Sequence, residues 1–133
     1  MLAVDTNVIV RLLTGDEPTQ ATAARKLFAH NQIWISKTVL LETAWVLHSS
    51  YRFDAAAVRD ALANLAGLHN VAVEDEPSVA AAFDLAAHGI GFADALHVTG
   101  RPTGVKFLSF DRSLVRRARR AGAADVSEIV ASR

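Results

Sequence analysis

The chain has 133 residues and carries 14 basic and 14 acidic side chains, so its formal net charge is zero. This balance argues against a protein that binds nucleic acid by bulk positive charge. The sequence contains no cysteine, which excludes disulfides, thiolate zinc sites and cysteine nucleophiles. Hydrophobic residues make up 51% of the chain, and together with its length this composition predicts a single globular domain over residues 1–133.

Targeting signals are not evident in the sequence. The first residues do not resemble a signal peptide, because Asp5 comes early and no basic stretch precedes it. No apolar run reaches the roughly 20 residues of a membrane helix. We therefore predict a cytoplasmic protein with no membrane partner.

The predicted elements alternate between strands and helices. In chain order we predict a buried strand at 2–4, helices at 7–13 and from about 16–18 to 29, a strand at 32–35, helices at 38–49 and 54–67, a strand at 71–73, helices at 77–88 and 92–98, a turn at 101–104, a strand at 105–110, a helix at 112–121 and an edge strand at 126–130. Asp16, Ser36 and Asp54 are residue types that cap helix N-termini. This alternation predicts an α/β fold, a three-layer α/β/α sandwich with a central parallel sheet of four to five strands.

Four carboxylates lie beside strongly apolar stretches. Asp5 and Asp111 end strand-like runs, whereas Glu42 and Asp94 lie within helix-like runs. A carboxylate in such surroundings is costly to bury unless it is paired or holds a cation. In parallel sheets the ligand site lies beyond the carboxyl ends of the strands, where Asp5 and Asp111 fall. The four acids therefore suggest one hard-metal site assembled from distant parts of the chain.

Each of these acids also has a structural explanation. Asp5, Asp94 and Asp111 could each cap or electrostatically favour the start of a helix. Glu42, whose helix offers no obvious polar face, could pair with a buried arginine. His97, three residues after Asp94, could orient a carboxylate or a water. A lone histidine in an apolar helix is more often a hydrogen-bonded core residue.

Together, the motifs resemble those of a known family. Val-Asp-Thr-Asn, a mid-chain glutamate in an apolar helix, Asp-Ala-Leu-His and Leu-Ser-Phe-Asp, in this order, resemble the PIN-domain ribonucleases. The length of the chain is similar to that of the VapC toxins of bacterial toxin–antitoxin pairs, and the resemblance covers essentially the whole chain. It implies a PIN-like fold, Mg²⁺ or Mn²⁺ as cofactor and cleavage of RNA that leaves a 5′-phosphate and a 3′-hydroxyl.

The resemblance also implies roles for individual residues. The catalytic acidic cluster would consist of Asp5, Glu42, Asp94 and Asp111. The metal ligands among them would be Asp5, Asp94 and Asp111. Supporting or substrate-positioning roles would fall to Thr6, Asn7, His97 and Ser109.

The last predicted helix offers a surface for the RNA backbone. Its basic residues on one helical face are Arg112, Arg116, Arg119 and Arg120. This stripe begins next to Asp111 and could hold phosphates, although a solvated basic surface is an equally ordinary explanation.

The predicted function is that of a Mg²⁺-dependent endoribonuclease, the toxin of a VapBC-type system, with structured RNA such as tRNA or rRNA as substrate. Clustered carboxylates repel one another and favour a divalent cation, which can activate water without a protein nucleophile. The resemblance implies a VapB-type antitoxin as partner, a homodimer, and contact with operator DNA only through the antitoxin.

Three other functions remain open. A phosphohydrolase could use Asp5 as its nucleophile, but the second aspartate usual two residues later is missing. A phosphate-accepting receiver domain would need its acids in a different order. A catalytically silent PIN-like domain could bind RNA or act as a scaffold.

Overall fold

The computed structural model of the chain describes residues 1–132. Its elements are, in chain order, β1 (Leu2–Ala3), α1 (Thr6–Thr14), α2 (Pro18–His30), β2 (Ile33–Ile35), α3 (Lys37–Ser49), α4 (Ala55–Ala66), β3 (Val71–Val73), α5 (Glu76–Ala86), α6 (Phe92–Thr99), β4 (Phe107–Ser109), α7 (Arg112–Arg120) and β5 (Val126–Glu128). Every strand pair is parallel. The predicted α/β class with parallel strands is therefore confirmed.

The contacts of the chain divide it into two compact units, one of residues 1–76 and one that begins at Pro77. The first unit holds a three-stranded sheet in the order β1-β2-β3, and the second holds the pair β4-β5. The four to five strands expected for one central sheet are thus present as five strands in two sheets. A single domain over residues 1–133 stays a prediction.

The core of the first unit forms around its central strand, β2. Ile33 and Ile35 of this strand are fully buried. Ile33 pairs in register with Leu2 on one side and Val71 on the other. Leu40 of α3, also fully buried, adds to this core. Burial of each of these branched side chains contributes about 1.5–3 kcal/mol to folding.

The edge strands are less buried than the sequence predicts. The expected buried strand at 2–4 is the two-residue β1, and Leu2 remains 43% exposed. The expected strand at 105–110 shortens to β4, in which Leu108 is 53% exposed. Within residues 1–132 each of these strands pairs with one neighbour only. The exposure of Leu2 and Leu108 shows that their side chains are not covered on both faces, as a continuous apolar run suggests.

Two of the three predicted helix caps are confirmed. The Ser36 side chain accepts a hydrogen bond from the Val39 N–H of α3 at 3.2 Å, and Asp54 accepts one from Ala57 of α4 at 2.8 Å. Each cap satisfies a backbone donor that the first turn of a helix leaves without a partner.

The third predicted cap, Asp16, is wrong by one residue. Glu17 caps α2, accepting from N–H groups of its first turn at 3.2 and 2.7 Å. Asp16 instead accepts from the Tyr51 hydroxyl at 2.5 Å and pairs with Arg11 at 3.0 Å. The hydrogen bonds from Tyr51 and Thr14, together with Arg11, hold the pKa of the Asp16 carboxyl below its ordinary value. This network joins α1 to the segment that follows α3.

In the second unit, one guanidinium holds the backbone segments beside β4 and β5. Arg101 donates to the carbonyl oxygens of Val98 at 3.0 Å, Val105 at 2.6 Å and Asp125 at 2.9 Å, and also to that of Ala124. Because the acceptors come from three stretches of chain, Arg101 fixes the end of α6 against both of the others.

Membrane-spanning helices are not found in the part of the chain that is described. Within residues 1–132, no helix combines the length and the apolar character needed to cross a membrane.

Candidate functional site

Asp5 combines two properties at the end of β1. Its Oδ1 accepts a hydrogen bond from the Val8 N–H at 3.3 Å, so it caps α1 as the structural explanation required. It is nevertheless solvent-exposed, and Oδ2 makes no hydrogen bond within residues 1–132. The helix therefore holds the carboxylate in place while one of its oxygens stays available.

A pocket of about 320 Å³ lies beside this carboxylate, and we call it the carboxylate pocket. Its lining residues are Asp5, Thr6, Asn7, Glu42 and Val46. The first three begin α1 and the last two belong to α3, which packs on α1. The packing of two helices in the first unit thus brings together four of the residues that the sequence assigns to the site.

Two of these residues have polar groups without a protein partner. The Glu42 carboxylate makes no hydrogen bond or ion pair within residues 1–132. The Thr6 hydroxyl is buried, and no hydrogen-bond partner for it occurs among the described residues. A buried polar group left unsatisfied costs about 1–3 kcal/mol. Carboxylate, hydroxyl and amide oxygens are hard donors, so this set fits a cation such as Mg²⁺.

The prediction that the four acids are buried is wrong. Asp5, Glu42, Asp94 and Asp111 are all exposed. Glu42 lies on a helix face that it shares with Trp45, and Trp45 is 66% exposed. A tryptophan at the surface supplies the open face that seemed missing, so Glu42 needs neither a buried arginine nor an ion to be tolerated. Its availability, rather than its burial, is what suggests function.

In the second unit, Asp111 repeats the arrangement of Asp5. Its Oδ1 accepts from the Leu114 N–H at 3.0 Å and caps α7. The Asp111 N–H in turn donates to Ser109 Oγ at 2.9 Å. Ser109 ends β4, so the predicted polar pair is held between a strand and the helix that follows it.

Asp94 has no such structural role. The N-cap of its helix α6 is Gly91, and no side chain makes a capping hydrogen bond there. The Asp94 carboxylate is exposed and has no hydrogen bond or ion pair within residues 1–132. A charge in the first turn still gains from the helix dipole, but only by a few tenths to about 1 kcal/mol.

His97 does not fit the more ordinary of its two predicted roles, that of a core residue. It is exposed and makes no hydrogen bond to any described residue, so it is not a hydrogen-bonded core residue. It lies three residues after Asp94, which places both side chains on one face of α6. Its role in orienting a carboxylate or a water stays a prediction.

Taken together, the first unit gathers Asp5, Thr6, Asn7 and Glu42, and the second holds Ser109 beside Asp111. Among residues 1–132, no three acidic or imidazole side chains form a group able to hold one metal ion. The assignment of the four acids as catalytic residues and metal ligands therefore stays a prediction.

Comparison with known protein families identifies the fold. The sequence matches the family described as PIN domain over residues 2–121, a segment that contains all four acids. The chain belongs to the PIN-domain family. PIN domains are generally metal-dependent nucleases with an α/β/α fold, and this membership confirms the predicted fold class and supports a nuclease function. No curated protein and no solved structure gave a significant match.

The arginines of α7, the basic helix of this PIN domain, fall into two groups. Arg119 Nε donates to the Val126 carbonyl at 2.7 Å, and Arg112 pairs with Glu128 at 3.3 Å. These two arginines tie α7 to β5. The predicted stripe of four RNA-binding arginines is thus partly engaged in holding the fold.

Two residues that were not predicted as site residues lie near the remaining arginines. His88 and Arg117 line a pocket together with Arg116 and Arg120. Arg117 lies off the predicted stripe, and His88 lies in the turn that follows α5. The one signal in the sequence is Gly89, whose position next to His88 marks a turn.

Proposed function

We propose that this PIN domain is a Mg²⁺-dependent endoribonuclease, with Mn²⁺ able to replace Mg²⁺, and that it cleaves structured RNA such as tRNA or rRNA. The observation that carries the proposal is the carboxylate pocket, which is lined by Asp5, Glu42 and Thr6, whose hydroxyl is buried without a hydrogen-bond partner among the described residues. In a family of generally metal-dependent nucleases, this donor set is best explained as part of a metal centre.

The residues divide into ligands and positioning groups. We assign Asp5, Asp94 and Asp111 as metal ligands and Glu42 as the fourth catalytic carboxylate. A divalent ion bound in such a site would lower the pKa of a bound water, so that this water can act as the nucleophile, and would offset negative charge on the phosphate. The side chains that orient ligands or substrate are Thr6, Asn7, His97 and Ser109. Because Asp5 and Asp111 each accept a helix-capping hydrogen bond at one oxygen only, each has its second oxygen for the ion.

Cleavage should depend on a divalent ion. We expect protein treated with EDTA to leave a fluorophore-labelled RNA intact, and Mg²⁺ or Mn²⁺ to restore cleavage. Calorimetric titration of either ion should show saturable binding that Asp5→Asn weakens. A catalytically silent scaffold would show neither saturable binding of the ion nor cleavage of the RNA. Cleavage that persists in EDTA would contradict the metal mechanism.

Thr6→Val tests whether the unsatisfied hydroxyl serves the site. Valine has nearly the same shape and removes a buried group without a partner, so the free energy of unfolding without metal should stay unchanged or rise by about 1 kcal/mol. Metal affinity should fall, on the order of tenfold, if the hydroxyl supports the ion or its ligands. Thr6→Ser, which keeps the oxygen, is the matched control. Equal metal affinity in all three proteins would remove Thr6 from the centre.

The biological setting that we propose is that of a VapBC-type toxin in the cytoplasm. Its membership in the PIN-domain family supports this setting. Its partners would be a VapB-type antitoxin, a second copy of the chain and the RNA substrate, with operator DNA contacted only through the antitoxin. Co-expression with the product of a neighbouring short reading frame should restore growth that expression of the PIN domain alone arrests.

A further inference from the structure

A second pocket, of about 230 Å³, lies in the second unit, and we call it the arginine pocket. It is lined by His88, Arg116, Arg117 and Arg120. Three guanidinium groups and an imidazole thus share one small concavity. Like charges placed so close repel one another unless an anion lies between them.

The arginines of this pocket are not neutralised by the protein. Arg116 and Arg120 make no hydrogen bond or ion pair within residues 1–132. Arg117 is bound only to a neutral group, because its Nη1 donates to the Gly89 carbonyl at 2.9 Å. By contrast, Arg112 on the same helix has Glu128 as its counter-ion. The positive charge of the pocket is therefore available to a ligand.

The backbone around Gly89 fixes one wall of the pocket. Gly89 has a φ of +83°, and a Cβ at this position would overlap Nη1 of Arg117. Glycine thus allows both the left-handed turn and the close approach of the guanidinium. His88 is held as well, since its Nδ1 donates to the Asp84 carbonyl at 3.1 Å and Nε2 remains for another partner. Two of the four lining groups are therefore positioned before any ligand binds.

We propose that the arginine pocket binds a backbone phosphate of the RNA substrate, a few nucleotides from the cleaved bond. Guanidinium groups present paired donors that match phosphate oxygens. Arg116 and Arg120 follow Asp111 by five and nine residues, which corresponds to about 8 and 14 Å along the helix axis. At roughly 3.4 Å per nucleotide, this spans about two to four nucleotides. The proposal rests on the proposed function, because it places the cleaved phosphate beside Asp111.

The test is RNA binding without cleavage. The dissociation constant of a single-stranded RNA of about twelve nucleotides is measured by fluorescence anisotropy in EDTA over a series of salt concentrations. We expect Arg116→Gln and Arg120→Gln each to weaken binding roughly tenfold. Each should also lower the slope of log affinity against log salt by about 0.7. Arg25→Gln, an exposed arginine on α2, removes the same charge elsewhere and should bind RNA as the wild type does.

A second arm locates the phosphate. Methylphosphonate linkages, which carry no charge, are introduced into the RNA one position at a time. One position should weaken binding to the wild type severalfold and have no further effect on the double variant Arg116→Gln/Arg120→Gln. RNA affinity equal to that of the wild type in both single variants overturns the proposal. A change confined to the affinity for inorganic phosphate, with the RNA affinity unchanged, also overturns the proposal.

These outcomes are separable from those of the nuclease assay. A wild-type protein that cleaves RNA but whose pocket variants bind RNA normally would remove the pocket and leave the proposed function standing. A wild-type protein that never cleaves, but shows the expected salt slopes, would remove the nuclease and leave a phosphate-binding surface.

Discussion

We expect Asp94→Asn to abolish RNA cleavage and to leave the protein folded. The substitution removes one negative charge and keeps the size of the side chain, and Asp94 makes no hydrogen bond within residues 1–132 that could be lost. Metal stabilisation of a phosphoryl transition state is worth several kcal/mol, and about 1.4 kcal/mol corresponds to tenfold in rate. We therefore expect kcat/KM to fall on the order of a thousandfold. The melting temperature should fall by no more than a few degrees, because only the helix-dipole contribution of the charge is lost.

Asp5→Asn should give the same result for a second carboxylate. Asparagine caps helices as well as aspartate does, so the hydrogen bond to Val8 can persist while the charge is lost. The matched control is Asp60→Asn, which removes an exposed acid from α4, outside both pockets, and should cleave at the wild-type rate. Cleavage at the wild-type rate by both Asp94→Asn and Asp5→Asn would contradict the proposed nuclease mechanism.

Arg101→Ala causes the largest loss of stability that we expect from any single surface substitution. Four carbonyl groups lose a charged donor, and a hydrogen bond to a charged group contributes about 1.5–3 kcal/mol where it is well formed. Because the bonds share one side chain and are partly exposed, we expect a total loss of about 3 kcal/mol. The melting temperature should fall by roughly 10 °C.

Two control variants define the cause. Arg101→Lys keeps the charge but replaces the planar guanidinium, which has five donors, by a compact ammonium, so it should recover only a minor part of the stability. Arg25→Ala should change the free energy of unfolding by less than about 0.5 kcal/mol. Chemical denaturation followed by circular dichroism measures all three. An Arg101→Ala protein as stable as Arg25→Ala would show that the carbonyl contacts contribute nothing.

Much of the fold is predictable because its signals are local. The Ser36 and Asp54 caps follow from residue type and position, and the strand–helix alternation follows from apolar runs punctuated by glycine and proline. The burial of the edge strands is not local. It depends on which elements pack over each face of the strand, and nothing within Leu2–Ala3 encodes that.

The candidate site shows the same division. The positions of Asp5 and Asp111 at strand ends follow from sequence, and both their capping role and their exposure are compatible with a ligand role. The surroundings of Glu42 do not follow, because Trp45 counts as apolar in a sequence although it lies at the surface. The place of Arg117 and His88 in the arginine pocket does not follow from the sequence either. These two residues come together only when α7 meets the turn after α5.

The capping hydrogen bonds of Asp5 and Asp111 have a consequence for the ion binding that we propose for each of these carboxylates. Side chains that must be immobilised on binding cost about 0.5–1.5 kcal/mol each. The Val8 and Leu114 N–H groups already restrict the carboxylates of Asp5 and Asp111, so this cost is met when the helices form. Ion uptake should then require little rearrangement of either helix start, and the protein without metal should keep α1 and α7 intact. Such a nuclease would be switched on and off by ion concentration without passing through a disordered state.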